Sequence, residues 1–428
     1  MAATLANGRL LAPLAVFGAV LAAMVALGGG ATSPPALSAD ADLGRPSGDP
    51  LRDAQVLVRA TRANAPAYAA LGDAYLTRAR ESGDPGFYSR AERAFDAALR
   101  RDPRDVAALI GAGTLAGLRH DFEAQLRRGL AAQRVAPELA RPLTVVADAQ
   151  LELGRYRAAA RTIQRLVNLK PGLASYARAS YFRELSGQVG GAVAAMRLAV
   201  SAGGSPDNTA SVQTLLGDLE LARGRTDSAR DAYRFALRDA PSYPQALTGL
   251  ARIDVASGDL QRAAARLRRS TDRLPLTTGL TLLAEVERAA GHSCAARGDL
   301  AAARVQHALL GRNGTRADAE AVLFEANHGS PPRALRLGRR VWRGAPSIRS
   351  ADALGWAYTR AGRPLTGLVW ARRALRTGSR DPLFRLHAGV AARRAGRGRE
   401  AARHFALAMK GTAALSPSAA RLLPRQGR

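Results

Sequence analysis

The chain has 428 residues, of which 47% are hydrophobic, so it can bury a substantial apolar core. The residue types that carry most enzyme chemistry are scarce, with six histidines and one cysteine. Aromatic residues make up only 5%, which disfavours a broad stacking platform for nucleic-acid bases. The single cysteine, Cys294, has no intrachain disulfide partner, and its small size favours a buried position on a helix.

The formal net charge is +28 at pH 7, and only Lys170 and Lys410 are lysines, so arginine carries almost all of the positive charge. Two explanations remain open. Either the arginines attract an anionic partner, such as nucleic acid, acidic lipid or a cell-wall polymer, or they reflect the codon usage of a GC-rich bacterium. Their scattered distribution along the chain favours codon usage.

The first element in chain order is an apolar segment, residues 10–27, which carries no charge and follows Arg9. A short basic region, an apolar run and then small residues is the order of a secretory signal. The run is also just long enough to cross a bilayer as a helix. We therefore expect residues 1–38 to be a cleaved signal peptide or an uncleaved signal anchor with its amino terminus inside. Either places the remaining chain outside the cytoplasm, secreted or held at the cell membrane by one span.

Residues 39–65 predict a linker with one lead-in helix, and a long internal repeat begins at residue 66. Prolines recur along this part of the chain at intervals of 34 to 36 residues, with one double interval between the sixth and seventh. They are Pro103, Pro137, Pro171, Pro206, Pro241, Pro275, Pro346, Pro382 and Pro417. A fixed period near 34 residues is typical of stacked helical arrays.

Each unit of this repeat predicts two helices with a glycine turn between them. In the unit that ends at Pro241, Leu216 and Gly217 lie on the first helix, and Gly224 ends it because glycine readily adopts a left-handed conformation. Tyr233 lies on the second helix, and the proline prevents that helix from extending further. The small residues allow the two helices to approach each other closely, while the larger ones fill the space between units.

These residues resemble the tetratricopeptide repeat, with its leucine–glycine pair, turn glycine, alanine, aromatic residue and closing proline. The resemblance extends from residue 66 to about residue 417. It implies an all-α, right-handed superhelical solenoid of about ten helix–turn–helix repeats, preceded by the apolar signal or anchor helix. Because the same fold serves many functions, the resemblance is stronger for the fold than for the activity.

Two units depart from the repeat, and a third region is irregular. Gln125 stands where the second helix should carry a small alanine, and Pro364 and Gly367 depart from the pattern in a similar way in the unit after Pro346. In the irregular region, either Gly291 or Gly298 fits the turn, and residues 313–315 read as a break between units. The predicted regions are a regular array at 66–275, irregular repeats at 276–345, C-terminal repeats at 346–417 and a tail at 418–428.

The chemistry-bearing residues form no recognisable reactive constellation. His292 and Cys294 lie two positions apart on a predicted helix and point to different sides, and no second cysteine completes a metal site. No serine occupies a nucleophile elbow. We therefore predict no catalytic, cofactor or metal site, and a chain that is not an enzyme.

In arrays of this family the first helices line a concave face that binds a peptide or protein. The repeat register predicts a mixed-charge set of partner-binding residues on that face. They are Asp148, Arg178, Tyr181, Glu184, Asp218, Arg252 and Trp356. The leading hypothesis is an extracytoplasmic protein-binding scaffold with Tyr181 and Trp356 as apolar anchors. The alternative is an arginine-rich binder of an anionic polymer or membrane surface.

Overall fold

The computed structural model of the chain describes residues 47–61 and 64–424, and all regular secondary structure in these ranges is helical. The apolar segment at residues 10–27 lies outside them, so the predicted signal or anchor stays a prediction. No helix within the described ranges has both the length and the hydropathy needed to cross a membrane.

The helices follow one another with short connections. They are α1 (Pro50–Ala60), α2 (Ala65–Ser82), α3 (Gly86–Arg101), α4 (Val106–Leu118), α5 (Phe122–Val135), α6 (Ala140–Glu152), α7 (Tyr156–Leu169), α8 (Leu173–Leu185), α9 (Val189–Ser201), α10 (Pro206–Ala222), α11 (Thr226–Asp239), α12 (Pro244–Ala256), α13 (Leu260–Arg273), α14 (Thr277–Ala289), α15 (Ser293–Arg312), α16 (Ala319–His328), α17 (Pro331–Gly344), α18 (Ile348–Arg360), α19 (Pro364–Ala374), α20 (Pro382–Arg394), α21 (Gly398–Ala408), a 3₁₀ helix (Met409–Ala414) and α22 (Pro417–Ala420).

Helices α2 to α21 form ten consecutive pairs, each a first helix packed on the second helix that follows it. The predicted all-α solenoid of about ten helix–turn–helix units is therefore confirmed. Aromatic residues of the second helices explain why glycine recurs on the first helices. A Cβ at Gly217 or Gly249 would lie 2.5 or 2.4 Å from the Tyr233 ring, and Phe95 fills the same position between Gly72 and Gly111.

The two departures in the repeat are accommodated by neighbouring small residues. Gln125 is buried against Gly117, where a Cβ would lie 2.8 Å from the glutamine amide, so the glycine makes room for the larger side chain. Pro364 and Gly367 do not interrupt their helix. Pro364 begins α19, where its missing N–H costs nothing, and Gly367 lets α19 approach Thr359 of α18 closely.

The irregular region contains the one place where the array loses its continuity. Gly291, with a φ of +91°, forms the turn between α14 and α15, whereas Gly298 lies inside α15. At every other junction along α2–α21 the second helix packs on the next first helix, but α15 and α16 hardly touch. Residues 313–318 connect them, so the predicted break falls where the structure has one.

Cys294 is exposed at the start of α15, and the prediction that it is buried was therefore wrong. The buried stripe of α15 runs through Ala296, Leu300 and Ala303. Cys294 lies off that stripe, and its small side chain therefore reaches solvent.

The solenoid coils back so that its C-terminal pairs contact its earlier pairs. Backbone carbonyls near the ends of later repeats press on turn glycines of the earlier ones, where an added Cβ would lie only 2.1 to 2.4 Å from the oxygen. These contacts join Gly154 to Pro346, Gly187 to Gly378, and Gly224 to Lys410. We call this set of contacts the seam.

Hydrogen bonds accompany the seam over much of its length. The Ile348 amide donates to Tyr156 Oη at 2.8 Å, and Thr377 Oγ1 donates to the Leu185 carbonyl at 2.5 Å; each pair is 192 residues apart in sequence. The Arg316 amide also donates to the Arg119 carbonyl at 2.9 Å. Solenoid contacts are ordinarily local, so the seam is the feature that encloses the concave side.

Candidate functional site

The concave side carries charged groups contributed by helices that are far apart in sequence. We call the following set the inner face: Glu152 on α6, Tyr181 and Glu184 on α8, Asp218 on α10, Arg252 on α12, Glu320 on α16, Arg349 on α18 and Asp381 at the start of α20. Except for Asp381, which caps α20, all of them lie on first helices. The first helices of successive pairs face the same side of the array. The seam brings earlier and later pairs together on that side.

Arg349 lies at the centre of this set. Its guanidinium carbon is 5.3 Å from the centroid of the Tyr181 ring, which is within range of a cation–π interaction. Tyr181 Oη donates a hydrogen bond to Glu152 Oε1 at 3.1 Å. Burial raises the pKa of the Glu152 carboxyl, and the nearby Arg349 charge offsets part of that shift. Residues on α6, α8 and α18 thus meet around one arginine.

The inner face contains five carboxyl groups and two arginines. Burial raises the pKa of Glu184 to about 7 and that of Glu320 to about 7, although Arg349 lowers both. Neither carboxylate forms a hydrogen bond or ion pair with another residue of the described ranges. Burial also raises the pKa of Asp218 and of Asp381, again against a neighbouring arginine. A positively charged occupant would lower these pKa values and stabilise the ionised carboxylates.

Two of the sequence-predicted residues form part of the wall beneath the inner face. Asp148 and Arg178 are 2% and 1% exposed and form a bidentate ion pair, with Nε to Oδ1 at 2.8 Å and an Nη to Oδ2 at 2.7 Å. Because each group satisfies the other, neither side chain is presented to solvent. Their predicted role in partner binding remains a prediction that no contact here supports.

The two predicted aromatic anchors are covered in this structure. Trp356 is 1% exposed, donates its indole N–H to Asn327 at 2.8 Å and stacks on His387 at a centroid distance of 4.2 Å. Tyr181 is 4% exposed. Both rings therefore contribute packing within the chain, and a partner would reach them only after a rearrangement.

The remaining predicted residues are accessible from the concave side. Asp218 and Arg252 lie 3.7 Å apart with side chains 41% and 29% exposed, and Tyr233 Oη donates to Asp218 at 2.7 Å. Glu184 is half-buried nearby. Sequence reasoning did not select Glu152, Glu320, Arg349 or Asp381, because their proximity depends on the seam rather than on the repeat register.

Charge is sorted between the two sides of the solenoid. Along the second helices more than three arginines occur for every carboxylate, whereas along the first helices carboxylates slightly outnumber arginines. Helix α17 illustrates the outer side, with five arginines and no carboxylate, and α10 illustrates the inner side, with three carboxylates and no arginine. Codon usage alone does not explain a distribution that follows the helix pairs.

The raised pKa of Glu184 gives a stability prediction. An unfolded chain releases this proton near pH 4.5, whereas the folded chain keeps it until about pH 7, so stability falls as pH rises between these values. We expect Glu184→Gln to stabilise the protein at pH 8 and to have little effect at pH 4.5. Urea unfolding at both values measures this, and a difference that does not change with pH would contradict it.

A second feature lies at the break between α15 and α16. Two adjoining cavities of about 530 and 560 Å³ share His120, Thr315, Arg316, Ala317, Asp318 and Arg340 in their walls. The sequence signalled the break at residues 313–315 but not the cavities, since their walls include His120, in the turn between α4 and α5, and α17 as well as the connecting segment. Within the ranges that the structure describes, no group of His, Cys, Asp and Glu has metal-binding geometry.

Comparison with known proteins identifies part of the array directly. The tetratricopeptide repeat family matches residues 220–286, which run from the end of α10 into α14. No curated protein matches the chain.

Three solved structures illustrate the similarity of fold, and all have TM-scores below 0.5, so they carry no argument about function. The human IFIT1 dimer with m7Gppp-AAAA is 17% identical over 74% of this chain and 72% of that chain, with a TM-score of 0.49. The APC/C hetero-tetramer Cut9–Hcn1 is 14% identical over 84% of this chain and 75% of that chain, with a TM-score of 0.39. MamA is 16% identical over 38% of this chain and 93% of that chain, with a TM-score of 0.31. Residues 220–286 therefore match the tetratricopeptide repeat, and the helix pairs on both sides of them repeat the same arrangement.

Proposed function

We propose that the protein is a non-catalytic scaffold that binds a segment of a protein or peptide partner on its inner face. The observation that carries this proposal is a pair of half-buried carboxyl groups, Glu184 and Glu320, that no residue of the described ranges hydrogen-bonds or ion-pairs, on a surface built from both halves of the array. Leaving such groups unpaired costs stability, which a partner would recover by supplying the missing positive charge.

The charge of the inner face also indicates the kind of segment that would bind. Carboxylates exceed guanidinium groups there, although the chain as a whole carries a charge of +28. A segment with lysine or arginine side chains complements this surface, and a polyanion is repelled by it.

The partner is best sought by crosslinking in cells of the native source, followed by capture through a C-terminal tag and washing at high salt. The decisive comparison is between two variants. One removes three inner carboxylates by Glu184→Gln, Asp218→Asn and Glu320→Gln. The control removes three exposed carboxylates of the outer helix α11 by Asp227→Asn, Asp231→Asn and Asp239→Asn.

We expect the inner-face variant to lose the captured partner and the α11 variant to retain it. Equal recovery by both variants would reject the inner face as the binding surface. Circular dichroism of both variants establishes that each is folded, which removes unfolding as a reason for lost capture.

We further propose that the array lies outside the cytoplasm, on the basis of the apolar segment at residues 10–27 and Arg9 before it. Digestion of intact cells and of cells with a permeabilised envelope tests this placement. Protection of the array until the cytoplasmic membrane itself is breached would contradict it.

A second candidate function rests on the outer arginines. The second helices present a surface such as that of α17, which would attract an anionic polymer or an acidic membrane. Binding to such a surface weakens steeply with added salt, whereas a specific inner-face complex is much less sensitive. Capture that disappears with salt equally in the wild type and the inner-face variant would favour this second candidate.

A further inference from the structure

The break between α15 and α16 opens a polar cleft that regular repeat packing would have filled. Helix α15 extends for 20 residues, and α16, which follows the connecting segment at residues 313–318, has only 10. The short helix leaves the last turns of α15 uncovered. The cavity of about 560 Å³ lies between α15, the connecting segment and α17, and we call it the α15–α17 cleft. Its volume suits a small molecule.

Four arginines line the cleft, and two of them have no carboxylate partner. Arg316 pairs with Asp121 and Arg333 pairs with Glu325. Arg304 donates to the His328 carbonyl at 2.8 Å, a neutral group, and its guanidinium lies 5.7 Å from the Phe324 ring centroid.

Arg340 is exposed and, within the described ranges, forms no hydrogen bond or ion pair. The cleft therefore contains two guanidinium groups whose charge is not neutralised. Guanidinium groups of this kind are suited to bidentate recognition of phosphate or carboxylate oxygens.

Two neutral donors in the wall of the cleft lack hydrogen-bond partners. The buried atoms His307 Nε2 and Thr315 Oγ1 have none, and both residues face this cavity. Burial lowers the pKa of His307, so its ring is neutral at pH 7 and can donate one N–H. These two atoms lie beside two arginines that have no carboxylate partner, and together they indicate where the acceptor oxygens of a ligand would lie.

Asp318 completes the polar wall. Its Oδ2 is also without a hydrogen bond and lies 4.0 Å from His120 Nδ1. A carboxylate here disfavours a ligand made only of acceptor atoms and suits one that also carries a hydroxyl group. Phe324, Leu310 and Leu337 supply an apolar side to the same cavity.

We propose that the α15–α17 cleft binds a small organic phosphate, with Arg304, Arg340, His307 and Thr315 donating to the phosphoryl group and Asp318 accepting from a hydroxyl of the same ligand. A phosphoryl group offers three terminal oxygens and close to two negative charges at pH 7, whereas a carboxylate offers two oxygens and one charge, so the phosphoryl group complements two guanidinium groups better. Arg304 and Arg340 lie outside the inner-face set, although the adjoining cavity, which Glu152 and Arg349 line, shares Arg340 and Asp318 with the cleft.

Isothermal titration calorimetry of the full chain tests the proposal with three probes: glycerol 3-phosphate, inorganic phosphate and acetate. We expect glycerol 3-phosphate to bind most tightly, inorganic phosphate more weakly and acetate not measurably. Binding of acetate as tight as that of glycerol 3-phosphate would overturn the assignment of the ligand class. Absence of binding by both phosphates would overturn the site.

Variants locate the binding. Arg304→Met and Arg340→Met are each expected to lower the affinity for glycerol 3-phosphate at least tenfold. Arg336→Met, on α17 but outside the cleft, is the matched control and should leave it unchanged. All three arginines are exposed, so the variants should fold, and thermal unfolding without ligand verifies this. Equal losses in all three variants would mean diffuse attraction by the outer arginines and would overturn the site.

NMR titration of the histidines measures the pKa of His307 with and without ligand. If His307 had only a structural role, its pKa would not change when the ligand binds. A bound phosphoryl dianion stabilises the imidazolium form, so the pKa of His307 should rise when glycerol 3-phosphate is added. His292, whose side chain is 64% exposed and distant from the cleft, provides the internal control. An unchanged pKa of His307 at saturating ligand would overturn its contact with the phosphoryl group. Loss of phosphate binding together with intact partner capture would leave the proposed scaffold function standing.

Discussion

Gly187→Ala is expected to destabilise the array far more than the same substitution at an equivalent turn away from the seam. Gly187 has a φ of +72°, and a Cβ there would lie 2.1 Å from the Gly378 carbonyl oxygen. Alanine in the left-handed conformation costs about 1–2 kcal/mol. Overpacking against a backbone atom that cannot rotate away adds about 1–3 kcal/mol more. We therefore expect a total loss of about 2–5 kcal/mol.

The matched control is Gly258→Ala. Gly258 occupies the corresponding turn between α12 and α13, has a φ of +83°, and has no atom within 4 Å of the position a Cβ would take. The substitution Gly258→Ala therefore carries only the cost of the left-handed conformation, about 1–2 kcal/mol. Urea unfolding measures both losses, and small-angle scattering should show an increased radius of gyration only for Gly187→Ala, because only that substitution opens the seam. Equal losses and unchanged dimensions would show that the seam does not hold the two parts together.

Arg178→Met is expected to cost about 3–5 kcal/mol, because it leaves a buried carboxylate without its charged partner. Asp148 is 2% exposed, and burial already raises its pKa against the effect of Arg178. Without the arginine the carboxyl takes up a proton more readily in the folded chain. The deficit relative to wild type should therefore be larger at pH 8 than at pH 5, which urea unfolding at the two values measures.

Two comparisons separate this effect from the loss of an ordinary ion pair. Arg178→Met with Asp148→Leu removes both charges and should recover most of the stability. Arg252→Met breaks the partly exposed pair with Asp218, 3.7 Å away, and should cost under about 1 kcal/mol. A small loss for Arg178→Met, similar to that of Arg252→Met, would contradict a structural role for the buried pair.

The repeat architecture was predictable because its determinants are local in sequence. Gly224 ends α10, Tyr233 packs on Gly217, and Pro241 follows α11, all within one unit. The break at residues 313–315 was also visible as a run that forms no helix. The number of pairs and the position of the break therefore follow from residues close to one another in the chain.

The candidate site was predictable only in part because its assembly is not local. Glu184, Asp218 and Arg252 follow the repeat register and do reach the concave side. Arg349 meets Tyr181 only because the seam places α18 beside α8. The register also cannot show how deeply a side chain is covered, which is why Trp356 reads as a binding anchor and is instead stacked beneath His387.

The seam changes how such a chain should acquire its structure. Helix pairs alone make only neighbouring contacts, so an array without a seam can begin folding in any unit and extend from there. The bonds from Tyr156 to Ile348 and from Leu185 to Thr377 each close a loop of 192 residues. Closing loops of that length costs chain entropy before any contact compensates for it. The pairs after the break should therefore dock late, onto earlier pairs that are already formed, as a separate and slower kinetic phase.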